Sequence, residues 1–118
     1  MSEDMVKNAE RKAVEKEGEE LELRPLADII GGEDNVTIFF EVPGANSRTV
    51  EVEVNDGVLY VKARSSLRRN GRPIVYKRAF QISDAVDVAN ISAKTSDGVL
   101  ELVLPKSERA RIHKIKVN

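Results

Sequence analysis

The sequence contains no cysteine and no tryptophan. Without cysteine there are no disulfides, no thiolate metal sites and no cysteine nucleophile. Aromatic residues make up only 4% of the chain, so the core has to be built mainly from Val, Ile and Leu. Neither sign of charge predominates. The 19 basic and 20 acidic residues leave a net charge of −1, which gives no global attraction to nucleic acid or to an anionic membrane. No apolar run approaches the roughly 20 residues of a membrane span. Met1-Ser2-Glu3-Asp4-Met5 lacks a basic patch followed by an apolar stretch, so no secretory signal is expected and cytoplasmic residence is the default. Gly31-Gly32 lacks the third glycine and the following helix of a phosphate loop and reads as a turn, so no ATP cycle is expected. The single histidine, His113, has no second histidine near it in the charged tail and reads as an exposed residue rather than a ligand or base. Ser65-Ser66 has no nucleophile elbow around it. Glu51 and Glu53 alternate with valines on one strand, as on a half-exposed sheet face and not as a catalytic carboxylate pair. No catalytic, cofactor-binding or metal-binding residue is assigned, and no enzyme is expected.

What is present is a set of short alternating segments separated by turn signals. The 118 residues, 41% hydrophobic and 33% charged, suit one domain with a modest core. Residues 1–23 are a charged arm rich in Glu, with a thin apolar side of Met5, Ala9, Ala13 and Val14. So little apolar surface predicts a flexible or partly helical arm. From Arg24 onward the period becomes two. Val36, Ile38, Phe40 and Val42 alternate with more polar neighbours before Pro43-Gly44. Val50, Val52 and Val54 follow, then the Asp56-Gly57 turn and Val58-Leu59-Tyr60-Val61 as a hairpin return. Ser65 to Arg72 is polar and basic around Asn70-Gly71, with Arg64, Arg68, Arg69 and Arg72 and no aromatic residue to stack on a base. It reads as a solvated or dimer-contacting loop. Ile74 to Ile82 is extended, and Ile91, Ala93 and Thr95 alternate before Asp97-Gly98. Leu100, Leu102 and Leu104 then share one strand face until Pro105 ends the ladder. Short strands with regular turns predict an all-β antiparallel sandwich over residues 24–106. In the tail, residues 107–118, Ile115 and Val117 lie on one side of an extended chain, and that spacing suits docking beside a sheet edge as well as a last strand or a frayed tail.

Six landmarks in order resemble those of the α-crystallin domain of small heat shock proteins. They are Arg24-Pro25-Leu26-Ala27-Asp28-Ile29, Phe40-Glu41-Val42-Pro43-Gly44, Val58-Leu59-Tyr60-Val61, Tyr76-Lys77-Arg78-Ala79-Phe80, the Gly-Val-Leu signature within Ala93 to Lys106, and Ile115-Lys116-Val117. The resemblance implies an immunoglobulin-like sandwich that dimerises and assembles further. It implies that Ile115 and Val117 are knobs for a groove on another subunit, lined by Val52, Val54, Ile91 and Ala93. It places Arg78 and Tyr76 at a dimer interface. It implies an ATP-independent holdase chaperone of the cytoplasm, with partly unfolded proteins and its own copies as partners, and with no nucleic acid or membrane partner. A co-chaperone-like adaptor that binds one folded partner is the alternative. Two departures stand out. The arm has no aromatic residue, where the family's arm is usually aromatic and apolar. The stretch at residues 65–75 is short for a swapped strand, and Ile74 to Phe80 is instead read as one longer edge strand.

Overall fold

The computed structural model describes residues 19–108 and 114–118. The described chain forms eight strands: β1 (Leu21–Leu23), β2 (Ala27–Gly31), β3 (Asn35–Glu41), β4 (Val50–Asn55), β5 (Val58–Arg69), β6 (Arg72–Gln81), β7 (Ser92–Ser96) and β8 (Val99–Pro105), with one short 3-10 turn at Val88–Asn90. They make two four-stranded sheets, ordered β1-β6-β5-β4 and β2-β3-β8-β7. The all-β sandwich expected from the alternation, immunoglobulin-like as the resemblance implies, is observed.

Three two-residue turns set the hairpins. Asp56-Gly57, Asn70-Gly71 and Asp97-Gly98 each have positive φ at both positions, from 49° to 76°. That is the backbone whose twist matches the flanking strands, and an Asx-Gly pair adopts it at least cost. The alternation then decides what is inside. Ile38, Phe40, Leu100, Leu102 and Leu104 from one sheet meet Leu59, Val61, Ala63, Ile74 and Tyr76 from the other, all buried. Each large side chain so buried contributes about 1.5–3 kcal/mol before the cost of ordering it. The Phe40 and Phe80 rings pack at 5.8 Å with a 56° tilt.

Two elements differ from expectation. Leu21–Leu23, at the end of the arm expected to be flexible or helical, is a strand, and it pairs parallel with β6: Leu21 opposite Ile74, Glu22 opposite Val75, Leu23 opposite Tyr76. The reason lies in β6, whose outer edge offers unpaired backbone groups that a short alternating Leu-Glu-Leu segment can satisfy. The rest of the arm, residues 1–18, lies outside the described residues. The polar stretch after Arg64 is not a loop either. β5 continues through it to Arg69 after a register shift between Arg64 and Arg68, and β6 returns from Arg72. Ile74 to Phe80 therefore lies within one long strand, as expected, but it is an edge only beyond Tyr76, because β1 covers Ile74–Tyr76.

Pro43-Gly44 is the seam between the sheets. Val42 N–H donates to Gly98 O at 2.7 Å on one side, and Ser66 N–H to Gly44 O at 2.9 Å on the other. Ser65 Oγ donates to Pro43 O at 2.7 Å and accepts from Leu67 N–H at 3.0 Å. The Ser65 hydroxyl thus holds the base of the β5–β6 arm.

Candidate functional site

β4 and β7 are the end strands of their respective sheets, and they face each other across one side of the sandwich. Between them runs a groove of about 190 Å³ lined by Val50, Val52, Ala93, Thr95 and Leu100, with Ser47 and Lys94 at its polar margin. The volume is comparable with the ~150 Å³ of an apolar cavity that takes up benzene. The register explains its form. Val50, Val52 and Val54 alternate with the exposed Glu51 and Glu53, so the valines point between the sheets. Ala93 and Thr95 stand opposite Leu102 and Leu100, and two small side chains beside two leucines leave a trough along the sheet edge. Both strands have one unpaired edge among the described residues, so the trough is flanked by free backbone donors and acceptors.

Of the four residues expected to line a groove, Val52 and Ala93 do so. Val54 and Ile91 lie just beyond, the first one pleat further on β4 and the second directly before β7, both packed on the core. Val50, Thr95 and Leu100 also line the groove and were not assigned there from sequence. For Val50 and Thr95 the signal was the alternation continued by one step on β4 and β7; Leu100 reaches the groove from β8. The expected knobs are free in the single chain: Ile115 is 86% and Val117 89% exposed.

The second expected region lies on β6. Arg78 Nη1 donates to Pro25 O at 2.9 Å, and its guanidinium carbon sits 4.6 Å from the centre of the Phe80 ring, a cation–π contact. Its Nε is buried without a hydrogen-bond partner. Burial first, and the positive charge of Arg24 second, lower its pKa from the ordinary arginine value; the guanidinium stays charged all the same. Tyr76 is only 8% exposed and belongs to the core, and Leu23 pairs with it along the strand edge. Beyond Tyr76, no strand pairs with the outer edge of Lys77–Gln81 among the described residues.

The basic stretch is engaged with the chain itself. Arg64 forms an ion pair with Glu20. Arg72 donates from Nε to Glu19 O and from Nη2 to Glu20 O, both at 3.2 Å. Arg68 Nη1 donates to Gly71 O at 3.1 Å. A larger depression of about 560 Å³ lies on the outer face of the β4-β5-β6 sheet, where Glu51, Glu53, Tyr60, Lys62 and Lys77 mingle. Its carboxylates stand beside lysines rather than beside a nucleophile. Among the described residues no group of three or more His, Cys, Asp or Glu side chains is placed to hold a metal, and no helix is long and apolar enough to cross a membrane. His113 lies outside the described residues.

Comparison with known proteins adds the wider context. A model of the Hsp20/alpha crystallin family matches residues 28–118. The 18 kDa antigen 2 of Mycobacterium avium is 31% identical over 93 residues, which span 72% of this chain and 67% of that protein. A probable 15 kDa heat shock protein of Leptospira interrogans is 30% identical over 95 residues, 71% of each chain. Among solved structures, heat shock protein 16.0 from Schizosaccharomyces pombe superposes with a TM-score of 0.65 at 26% identity, over 82% of this chain and 77% of that one. A small heat-shock protein from Xylella fastidiosa shares the fold, with a TM-score of 0.63 at 23% identity, over 81% of this chain and 97% of that one.

Proposed function

This chain belongs to the Hsp20/alpha crystallin family, and from that premise we propose that it is an ATP-independent holdase that binds apolar segments of partly unfolded proteins in the cytoplasm and keeps them from aggregating under stress. Family membership supports the chaperone role. The observation that carries the finer reading is the coexistence in one chain of a groove between β4 and β7 floored by Val50, Val52 and Leu100 and two exposed aliphatic knobs, Ile115 and Val117. The knobs of one copy occupy the groove of a neighbour, around Val52, Val54, Ile91 and Ala93. Two aliphatic side chains bury roughly 3–6 kcal/mol of transfer free energy before ordering costs. A contact of that size opens readily, and the vacated groove is then free for client segments. Dimers form along the open half of β6, with Arg78 in the contact and Tyr76 holding the strand from the core side. The higher-order structure of the Xylella fastidiosa relative supports self-association as the resting state.

The test is light scattering from a heat-labile protein with and without this chain, paired with mass measurement of the intact chain and of Ile115→Ala/Val117→Ala. Suppression near equimolar ratio is expected, with a mass above dimer that falls to dimer in the double variant. Equal small masses for both, and capture of one folded partner instead of a mixed set of heat-dependent clients, would transfer the assignment to an adaptor.

A further inference from the structure

The outer edge of β6 is already occupied by the chain's own segment, and the way it is held describes a binding site. Residues 19–25 lie along the edge as an extended strap. Leu21 and Leu23 pack against the core, while Glu22 between them faces out. The contacts that hold the strap fall into two kinds. The three-residue parallel ladder with Ile74–Tyr76, the two Arg72 bonds to Glu19 O and Glu20 O, and the Arg78 bond to Pro25 O all grip main chain. They would grip any extended chain equally well. Arg64 on Glu20 and Lys77 on Glu22 at 2.9 Å read side chains, selecting carboxylates on either side of Leu21. Both ion pairs are solvent-exposed at both ends and are therefore weak and screened by salt.

We propose that the β6 edge is a strand-addition site for extended polypeptide segments with branched aliphatic residues at alternate positions and carboxylates between them, and that residues 19–25 are its resident, displaceable occupant. The inference rests on the holdase reading and names a second surface, apart from the β4–β7 groove, where clients bind. Three observations favour displacement. The family match begins at Asp28, so the strap lies outside the part of the chain that defines the domain. The strap pairs with only three residues of a strand that continues to Gln81. It turns away at Pro25, whose ring cannot donate to a ladder, and a hollow of about 390 Å³ opens at that point between Glu22–Arg24 and Lys77–Ala79. When the proposed dimer contact along that edge opens, a longer segment running parallel to β6 fills that hollow and extends the ladder along Lys77–Gln81. It thus gains backbone bonds that the strap cannot make.

The probe is a fluorescein-labelled peptide alternating glutamate and leucine, with an alternating glutamate–serine peptide as control, titrated against full-length protein by anisotropy. Leu21→Ser/Leu23→Ser loosens the strap and is expected to bind the probe about tenfold more tightly than wild type, because the open fraction sets the apparent affinity. The decisive variant is Glu22→Cys/Val75→Cys. The chain has no cysteine of its own, and residues directly opposite across a ladder lie within disulfide reach. The oxidised form is expected to lose probe binding and the reduced form to regain it, in one and the same folded protein, so the test survives a failure of the serine variant to fold. Equal binding by oxidised and reduced forms overturns the proposal. So does a loosened strap that yields larger homo-oligomers with no bound probe, since the occupant is then a second copy. Gated probe binding without suppression of aggregation keeps the strand-addition site and removes the holdase reading. Suppression without gated binding does the reverse.

Discussion

At Gly44 the backbone takes φ +84°, and a Cβ there would collide with Ser65 Oγ and lie 3.2 Å from Ser66 N. Gly44→Ala therefore combines a strained left-handed residue with displacement of the Ser65 hydroxyl from Pro43 O. A loss of about 2–3 kcal/mol is expected in urea unfolding; a change under about 0.5 kcal/mol would mean that the β5–β6 arm moves aside freely. Arg78 makes the contrasting case. Its guanidinium is partly desolvated, with one orphaned nitrogen, so replacing it with an apolar side chain of similar length relieves a cost while losing the Pro25 bond. Arg78→Met should leave the unfolding free energy within about 1 kcal/mol of wild type, yet shift the light-scattering mass downward if the dimer contact is as proposed. Local chemistry of this kind divides into what a sequence can reveal and what it cannot. Asp56-Gly57, Asn70-Gly71 and Asp97-Gly98 declare themselves because a positive φ is a property of the dipeptide. The bond between Ser65 and Pro43 spans 22 residues and has no local signature.

Among the elements, the alternation of β3, β4 and β8 was legible because each buries one face on the core, and a one-residue slip would turn every side chain over. Two elements were not legible, for different reasons. The β5 extension through Ser65–Arg69 has a polar composition, and its strand character comes from pairing with Pro73 and Arg72 across the arm. β1 consists of three residues in an acidic run, and only the vacant edge of β6 makes it a strand. The candidate groove was half legible. Val52 and Ala93 followed from the family resemblance, and Val50 and Thr95 lie one alternation step further on the same strands, whereas Leu100 depends on how far apart the two sheets lie. A prediction belongs at this scale too. Ala93 is exposed on β7, so Ala93→Arg fills the trough from outside without entering the core. It should reproduce the mass loss of Ile115→Ala/Val117→Ala at unchanged thermal stability. An undiminished mass would place the knobs elsewhere.

The whole molecule has a stable centre and a less stable border. β3 and β8 lie in the middle of their sheet, paired on both sides over most of their length, while β1 is attached over three residues by one ladder and exposed charges. Amide protons of Leu21–Leu23 are accordingly expected to exchange well before those of Ile38, Phe40 and Leu102, as sub-global opening precedes global unfolding. Equal protection would join the strap to the cooperative core. The same attachment has a consequence for biosynthesis. Leu21 emerges from the ribosome 53 residues ahead of its partner Ile74, a delay of about 3–10 s at usual elongation rates. Throughout that interval the leucines of the strap have no docking edge, and the acidic residues around them are what keeps the nascent segment hydrated. Once β6 is made, a strand synthesised before all the others described is among the last to be put in place.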